Sequence, residues 1–191
     1  MRCVSCSKLS LSIICKKCQD KLFAPQIHTR KIGDMDVICF YNYSTIESLL
    51  HSKHTPLGFR VFKKLGLMVL RPFMKEFVEH ELGDIYIIGV DEKVKGGYSH
   101  VARLTQTMKM PSIIPYHSKL LSSNDITYSG KSLQYRLDNP RDFVYSGKKN
   151  IQAILVDDTI TTGLTLQYAY RELTKHGVNV LFALVLADAR E

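Results

Sequence analysis

Residues Ala153–Thr165, AILVDDTITTGLT, decide how the rest of the chain is read. The run IQAILV (151–156) has the length and apolar content of a buried strand. Asp157 and Asp158 end it, and Thr159 to Thr165 lead into LTLQYAYRELTKH (164–176). There Leu166, Tyr170 and Leu173 share one helical face, and Gly177 stands at C′. The stretch therefore predicts strand, turn and helix. In open α/β sheets ligands sit at the carboxyl ends of strands. A helix N-terminus presents unpaired N–H groups that favour phosphate, the threonine hydroxyls add donors, and Gly163 permits close backbone approach. Two acids beside such a turn would repel the phosphate itself, so they address something neutral or cationic. Vicinal ribose hydroxyls, or Mg2+ bound to them, satisfy this. An ordinary Asp N-cap would explain one acid but not the pair with its threonines and glycine. Walker and dinucleotide fingerprints are absent.

Outward from this stretch, apolar runs and helical patterns alternate. VICFYNY (37–43), IYIIGV (85–90), SIIPY (112–116) and VNVLFALVLA (178–187) read as strands, with Pro115 marking an edge or strand end. Ser44 and Glu47 look like a capping box opening a short helix. Thr55-Pro56 suits the start of a longer helix, which Pro72 is expected to break while opening a second at PFMKEFVEHE, and SHVARLTQTM (99–108) has helical spacing. His51 and His54 read as surface histidines. Residues 117–150 are polar, as in a functional or disordered loop. Continuous apolar strands alternating with helices predict an α/β, doubly wound, mainly parallel sheet.

The N-terminus differs. Cys3, Cys6, Cys15 and Cys18 form two Cys-x-x-Cys pairs, while Cys39 lies in an apolar run and reads as core. Without a secretion signal, four such thiolates suit one tetrahedral structural zinc. Free thiols and an iron–sulfur cluster are the competing uses. We divide the chain into a four-cysteine zinc-binding module (1–31) and a main domain (32–191). Of the net charge of +8, the module holds +6: seven Lys/Arg (Arg2, Lys8, Lys16, Lys17, Lys21, Arg30, Lys31) against Asp20. Clustered charge of this sign points to a polyanionic partner, nucleic acid before membrane, with solvated surface as the plain alternative. The longest apolar run, Val180 to Ala187, is too short to span a bilayer, and the first residues lack a signal-peptide core, so cytoplasm is the expected compartment.

AILVDDTITTGLT resembles the PRPP-binding signature of type I phosphoribosyltransferases (PRPP, phosphoribosyl pyrophosphate). With the Cys pairs, the chain resembles the ComF (ComFC) family of competence proteins, which join a zinc finger to a phosphoribosyltransferase-like domain. YRLDNPRDF (135–143) is similar to that family's Arg-x-x-Asn-x-x-x-Phe segment through Arg136, Asn139 and Phe143, and ALVLADAR (183–190) is similar to the family's ending. The resemblance implies a PRPP-binding competence factor that handles single-stranded DNA during uptake of transforming DNA. The DNA-uptake machinery at the inner face of the membrane would be a partner, and the cofactors would be structural Zn2+ and Mg2+ with PRPP. Asp157 and Asp158 would hold the ribose hydroxyls and serve as the catalytic pair. Thr159, Thr161, Thr162, Gly163 and Thr165 would line the 5-phosphate turn. Segment 118–142 would be a flap, with Lys131 and Arg136 available for pyrophosphate. VDEKVKGGYSH (90–100) ends in Gly-Gly-Tyr-Ser-His where the family has Arg-Gly-Phe-Asn-Gln, so Lys93 or Lys95 would supply the missing charge. Any hood over an acceptor would come from the N-terminal portion. Lys16, Lys17, Lys21, Arg30 and Lys31 would track a DNA backbone, with Phe23, Phe40, Tyr41 and Tyr43 as candidate stacking rings, although core is the commoner place for such aromatics. Two other readings are an active phosphoribosyltransferase with an unidentified acceptor and a PRPP sensor without turnover.

Overall fold

A computed structural model describes residues 1–78, 83–91, 93–94, 97–124, 126, 128 and 132–190. In chain order the elements begin with α1 (Lys16–Lys21), β1 (His28–Ile32), β2 (Met35–Asn42), α2 (Tyr43–Leu50), α3 (Pro56–Leu65) and α4 (Arg71–Val78). There follow β3 (Ile85–Gly89), α5 (His100–Thr107), β4 (Ile113–Pro115), β5 (Leu120–Ser122), α6 (Leu133–Asp138) and β6 (Phe143–Tyr145). The chain closes with β7 (Gln152–Ile160), α7 (Leu164–Lys175) and β8 (Asn179–Asp188).

Among the described residues, six strands form one sheet in the order β1-β2-β8-β7-β3-β4, parallel throughout except for the β1–β2 pair. Both faces are covered, which is why β7 is apolar at successive positions. Ile154 and Val156 enter a core with Phe62 and Leu65 of α3 and Leu104 of α5. Ala153 and Leu155 enter a second core with Leu166, Ala169 and Leu173 of α7. The chain moves outward from β3 to β4 but in the opposite direction from β7 to β8. The crevice between β3 and β7 is thus a topological switch point, where α/β sheets take ligands. Pro115 lies on edge strand β4, as its missing N–H requires.

Several local expectations are corrected. Asn42, not Ser44, occupies the N-cap of α2, and no side chain caps that end. Thr55 does cap α3, accepting from the Gly58 amide at 3.2 Å. A second helix does start where the sequence places it, α4 opening at Arg71 with Pro72 as its second residue, but the helical run is not broken there. A π-helical turn, Gly66–Leu70, joins α3 to α4 just before it. The i→i−4 ladder is already interrupted there, so a residue lacking an N–H is absorbed. The polar stretch 117–150 is not structureless: β5 and β6 pair antiparallel, and Leu120, Phe143 and Tyr145 are buried in the second core.

The N-terminal segment is continuous with the main body. Cys3, Ile14, Cys18 and Phe23 are buried in the same core as Phe40 and Leu184. The Tyr41 hydroxyl donates to the Phe23 carbonyl at 3.1 Å. Residues 28–31, grouped with the cysteine module in the sequence, hydrogen-bond to β2 as part of β1. No helix among the described residues is long and apolar enough to cross a membrane.

Candidate functional site

Asp157 and Asp158 lie near the carboxyl end of β7, beside the switch point. Strand alternation sends consecutive side chains to opposite faces. Asp158 goes toward the helices of the first core: its Oδ2 lies 3.3 Å from Lys53 Nζ and 3.3 Å from His100 Nε2. Asp157 folds back, its Oδ1 accepting the Asp158 amide at 2.8 Å. Burial opposes charge on Asp158, but the His100 hydrogen bond and the charges of Lys53 and His100 outweigh it, so its carboxyl is held well below the usual range. Burial and the adjacent Asp158 charge push Asp157 the other way, well above that range. Asp158 in turn raises the pKa of Lys53. One acid is thus a carboxylate already paired with cations, and its neighbour retains a proton more readily.

The acids open into a cavity of about 580 Å³, a size suited to a small polar ligand. Thr159, Thr161 and Thr165 line it, as do Lys53, Lys93, His100, Arg136 and Arg141. In the turn, Arg136 of α6 donates to the Thr161 hydroxyl. The Thr162 hydroxyl accepts from the Leu164 amide at 3.4 Å, and Gly163 stands at φ +85° as the N-cap of α7. A Cβ on Gly163 would meet Ile32 Cδ1 at 2.5 Å. The glycine therefore serves a left-handed backbone and close packing by β1.

Lys93 lines the cavity, with its Nζ 3.4 Å from the Asn124 carbonyl. Lys95 and Lys131 lie outside the described residues. Of the Gly-Gly-Tyr-Ser-His ending, Ser99 caps α5 by accepting the Ala102 amide at 3.1 Å, and His100 is the residue that reaches Asp158. In segment 118–142, Tyr128 is buried and its hydroxyl shares its proton between the carbonyls of Arg136 (3.1 Å) and Asn139 (2.8 Å), fastening the end of α6 from which Arg136 reaches the cavity.

Sequence reasoning passed over Lys53, His100, Asp91 and Arg141: Lys53 lies between α2 and α3, Asp91 just after β3, His100 at the start of α5 and Arg141 between α6 and β6. Asp91 accepts the Ser122 amide at 3.0 Å and lies 3.4 Å from Arg141, tying the loop after β3 to the β5–β6 pair. His54 is exposed, as expected of a surface residue, and also lines the cavity with its ring 5.5 Å from that of His100. His51 remains exposed, 3.7 Å from Glu47. Only the His100 position carried a sequence signal, as a departure from the family pattern.

At the N-terminus, the sulfurs of Cys3, Cys6, Cys15 and Cys18 all lie within 4.8 Å of one another, with Cys6 and Cys15 3.7 Å apart. Zinc–sulfur bonds of about 2.3 Å in a tetrahedron place sulfurs about 3.8 Å apart, so the cluster is compatible with a structural zinc. The Cys15 amide donates to Cys3 Sγ at 3.3 Å. Burial opposes thiolate formation at Cys3, yet the amides of Cys15, Cys6 and Ser5 bring its thiol down to about 6.

The proposed nucleic-acid residues divide. Lys17 and Lys21 are exposed on α1, where Lys16 pairs with Asp20 at 2.9 Å, and Lys31 pairs with Asp36 at 3.1 Å on the surface. Arg30 turns inward: its side chain is 11 % exposed and is committed to Asp188 and to the Thr161 carbonyl. Phe23, Phe40 and Tyr41 are buried and offer no stacking face, while Tyr43 lines the cavity.

No family model matches this chain, and no curated protein matches it. Among solved structures it is similar to an adenine phosphoribosyltransferase (14% identity over 89% of this chain and 88% of that one, TM-score 0.46). It is also similar to the adenine phosphoribosyltransferase of Saccharomyces cerevisiae (13% identity, 89% and 87%, TM-score 0.45) and to the orotate phosphoribosyltransferase of Aeropyrum pernix (19%, 90% and 80%, TM-score 0.40). The fold class rests on the strand order and the two covered faces of the sheet.

Proposed function

We propose that the protein binds PRPP with Mg2+ at the carboxyl end of β7 and, through its basic N-terminal module, handles single-stranded DNA during uptake of transforming DNA. The observation that carries the PRPP reading is the convergence of Asp157, Asp158 and the Thr159–Thr165 turn on one cavity rimmed by Lys53, Lys93, Arg136 and Arg141. A ribose 5-phosphate bearing a second, pyrophosphoryl group needs both halves of such a site: acids for its hydroxyls and cations for its phosphates. Mg2+ would neutralise part of the pyrophosphate charge, and the paired acids are hard oxygen donors of the type it takes. Lys53 and His100 occupy Asp158 in the free protein, so ligand hydroxyls must displace them. Lys93 and Arg141 are then placed to meet pyrophosphate, and Arg136 to move between it and Thr161.

The DNA reading is supported by the exposed lysines Lys16, Lys17 and Lys21 of α1 and by Lys31 on the solvent side of β1. With the nearby rings buried, contact would be to backbone phosphate and would be sequence-tolerant. The DNA-uptake machinery at the inner face of the membrane remains the proposed partner, and the four-cysteine cluster the proposed zinc site.

Calorimetry with PRPP and Mg2+ tests the first half. Binding by the wild type and its loss in Asp158→Ala are expected, and undiminished affinity in the variant would sink the assignment. For the second half, single-strand affinity should fall steeply with salt and in the Lys16→Glu/Lys17→Glu protein; indifference to both removes the DNA claim. A further reading, transfer of the phosphoribosyl group to an acceptor, is supported by the cations Lys93, Arg136 and Arg141 at the cavity, which suit a departing pyrophosphate. Pyrophosphate release across candidate acceptors separates turnover from binding alone.

A further inference from the structure

Strand β1 turns every second residue inward. His28, Arg30 and Ile32 are partly buried, while Thr29 and Lys31 face solvent. His28 Nε2 lies 3.1 Å from Asp188 Oδ2. Arg30 forks: NH1 donates to Asp188 Oδ1, and NH2 donates to the Thr161 carbonyl at 3.0 Å. Ile32 packs on Gly163, leaving no room for a side chain there. Asp188 is itself fixed at the end of β8, its Oδ1 also accepting the Arg190 amide at 3.0 Å. Its side chain is only 5 % exposed.

From this arrangement we infer that Arg30 is a positioning residue for the phosphate turn. The inference rests on the reading of that turn as a 5-phosphate site. An anion-binding turn works only if its N–H groups face the anion and its carbonyls face elsewhere. The peptide unit is planar and trans, so a Thr161 carbonyl held against Arg30 directs the Thr162 N–H the opposite way, away from β1. Freed of Arg30, that carbonyl can rotate and present its oxygen to the phosphate. The Asp188 carboxylate keeps the guanidinium in place and offsets its charge, so the effect on the turn is one of orientation. Ile32 against Gly163 holds the next residue from the same strand face. The sheet order β1-β2-β8-β7 brings β1 to a turn 131 positions away in sequence.

The test is calorimetry on the full chain with two probes, ribose 5-phosphate and Mg-pyrophosphate, for the wild type, Arg30→Met, Arg30→Lys and Asp188→Asn. Arg30→Met should weaken ribose 5-phosphate by about tenfold to a hundredfold, the range for one charge-assisted hydrogen bond, and leave Mg-pyrophosphate within about twofold. Arg30→Lys should recover part of the loss, because an ammonium can meet Asp188 but lacks the fork. Asp188→Asn should lie between. A merely structural role would weaken both probes together, and that result overturns the inference. Wild-type binding of ribose 5-phosphate with no change in Arg30→Met overturns it while leaving the functional reading intact. A wild type that binds neither probe removes both. If Arg30→Met unfolds, the same split is read from Arg30→Lys and Asp188→Asn.

Discussion

Stripping zinc from the four-cysteine cluster should cost the main domain part of its own core. Ile14 immediately precedes the second cysteine pair and Phe23 follows it on the far side of α1; both are essentially fully buried, sharing a core with Phe40, Phe62 and Leu184. Full burial of such a side chain contributes about 1.5–3 kcal/mol, so releasing both costs roughly 3–6 kcal/mol. The Tyr41 hydroxyl, itself buried, would lose the Phe23 carbonyl, adding about 1–3 kcal/mol. Residual compactness of the released segment reduces the apolar part by about 10–40%. Typical domain stabilities are about 5–15 kcal/mol, and for a chain of this length 1 kcal/mol shifts the midpoint by about 2–4 °C. A fall in Tm on the order of 10 °C or more is therefore expected. The assay is thermal unfolding of the zinc-loaded protein, the chelated protein and Cys6→Ser, with metal content measured on each sample. Ile14→Ala should cost about 2–5 kcal/mol in the loaded protein and little more in the chelated one, where that contact is already lost. A chelated, zinc-free sample that melts within about 2 °C of the loaded one would refute this coupling.

Asp157→Asn keeps the acceptor for the Asp158 amide but removes a charge that burial and Asp158 disfavour, so the free protein should gain about 1 kcal/mol while PRPP affinity falls; denaturant titration and calorimetry read the two effects. The Asp158 carboxyl is held below its unfolded value, so its contribution is present above pH about 4 and lost as pH falls further. Asp158→Asn should flatten that acid limb in stability measured against pH. Lys53→Met should reduce the same limb by about 1 kcal/mol or less, because the Lys53 side chain is 40 % exposed and screened. Gly163→Ala places a Cβ at left-handed φ and against Ile32, costing about 1–3 kcal/mol in urea unfolding. Adding Ile32→Ala should recover only the steric part.

The local parts of the site were legible because their signals are local. An apolar run, two acids, a turn with Thr and Gly, and a helix with one apolar face depend on neighbours within a few positions, and β7 and α7 follow that pattern. The two Cys-x-x-Cys pairs were equally plain. Less legible was what depends on a nearby element. A second helix opens at Arg71, but the π turn before it keeps the chain continuous where Pro72 alone suggested a break. Phe40 and Tyr41 could serve a core or a stacking surface, and the place of β2 between β1 and β8 decides for the core.

By itself, the sequence determined the parallel α/β class, the strand–turn–helix at Asp157–Thr165 and the four-cysteine cluster, because periodicity and spacing decide these. Tertiary structure alone decided which groups face the acids and which hold the turn. Lys53 meets Asp158 across 105 residues and Arg30 meets Thr161 across 131. Strand order brings these pairs together: β1 reaches the end of β8 through β2, and α3 and α5 cover the face onto which Asp158 turns. No spacing along the chain encodes such a meeting, because it depends on which strands become neighbours when both faces of the sheet are buried.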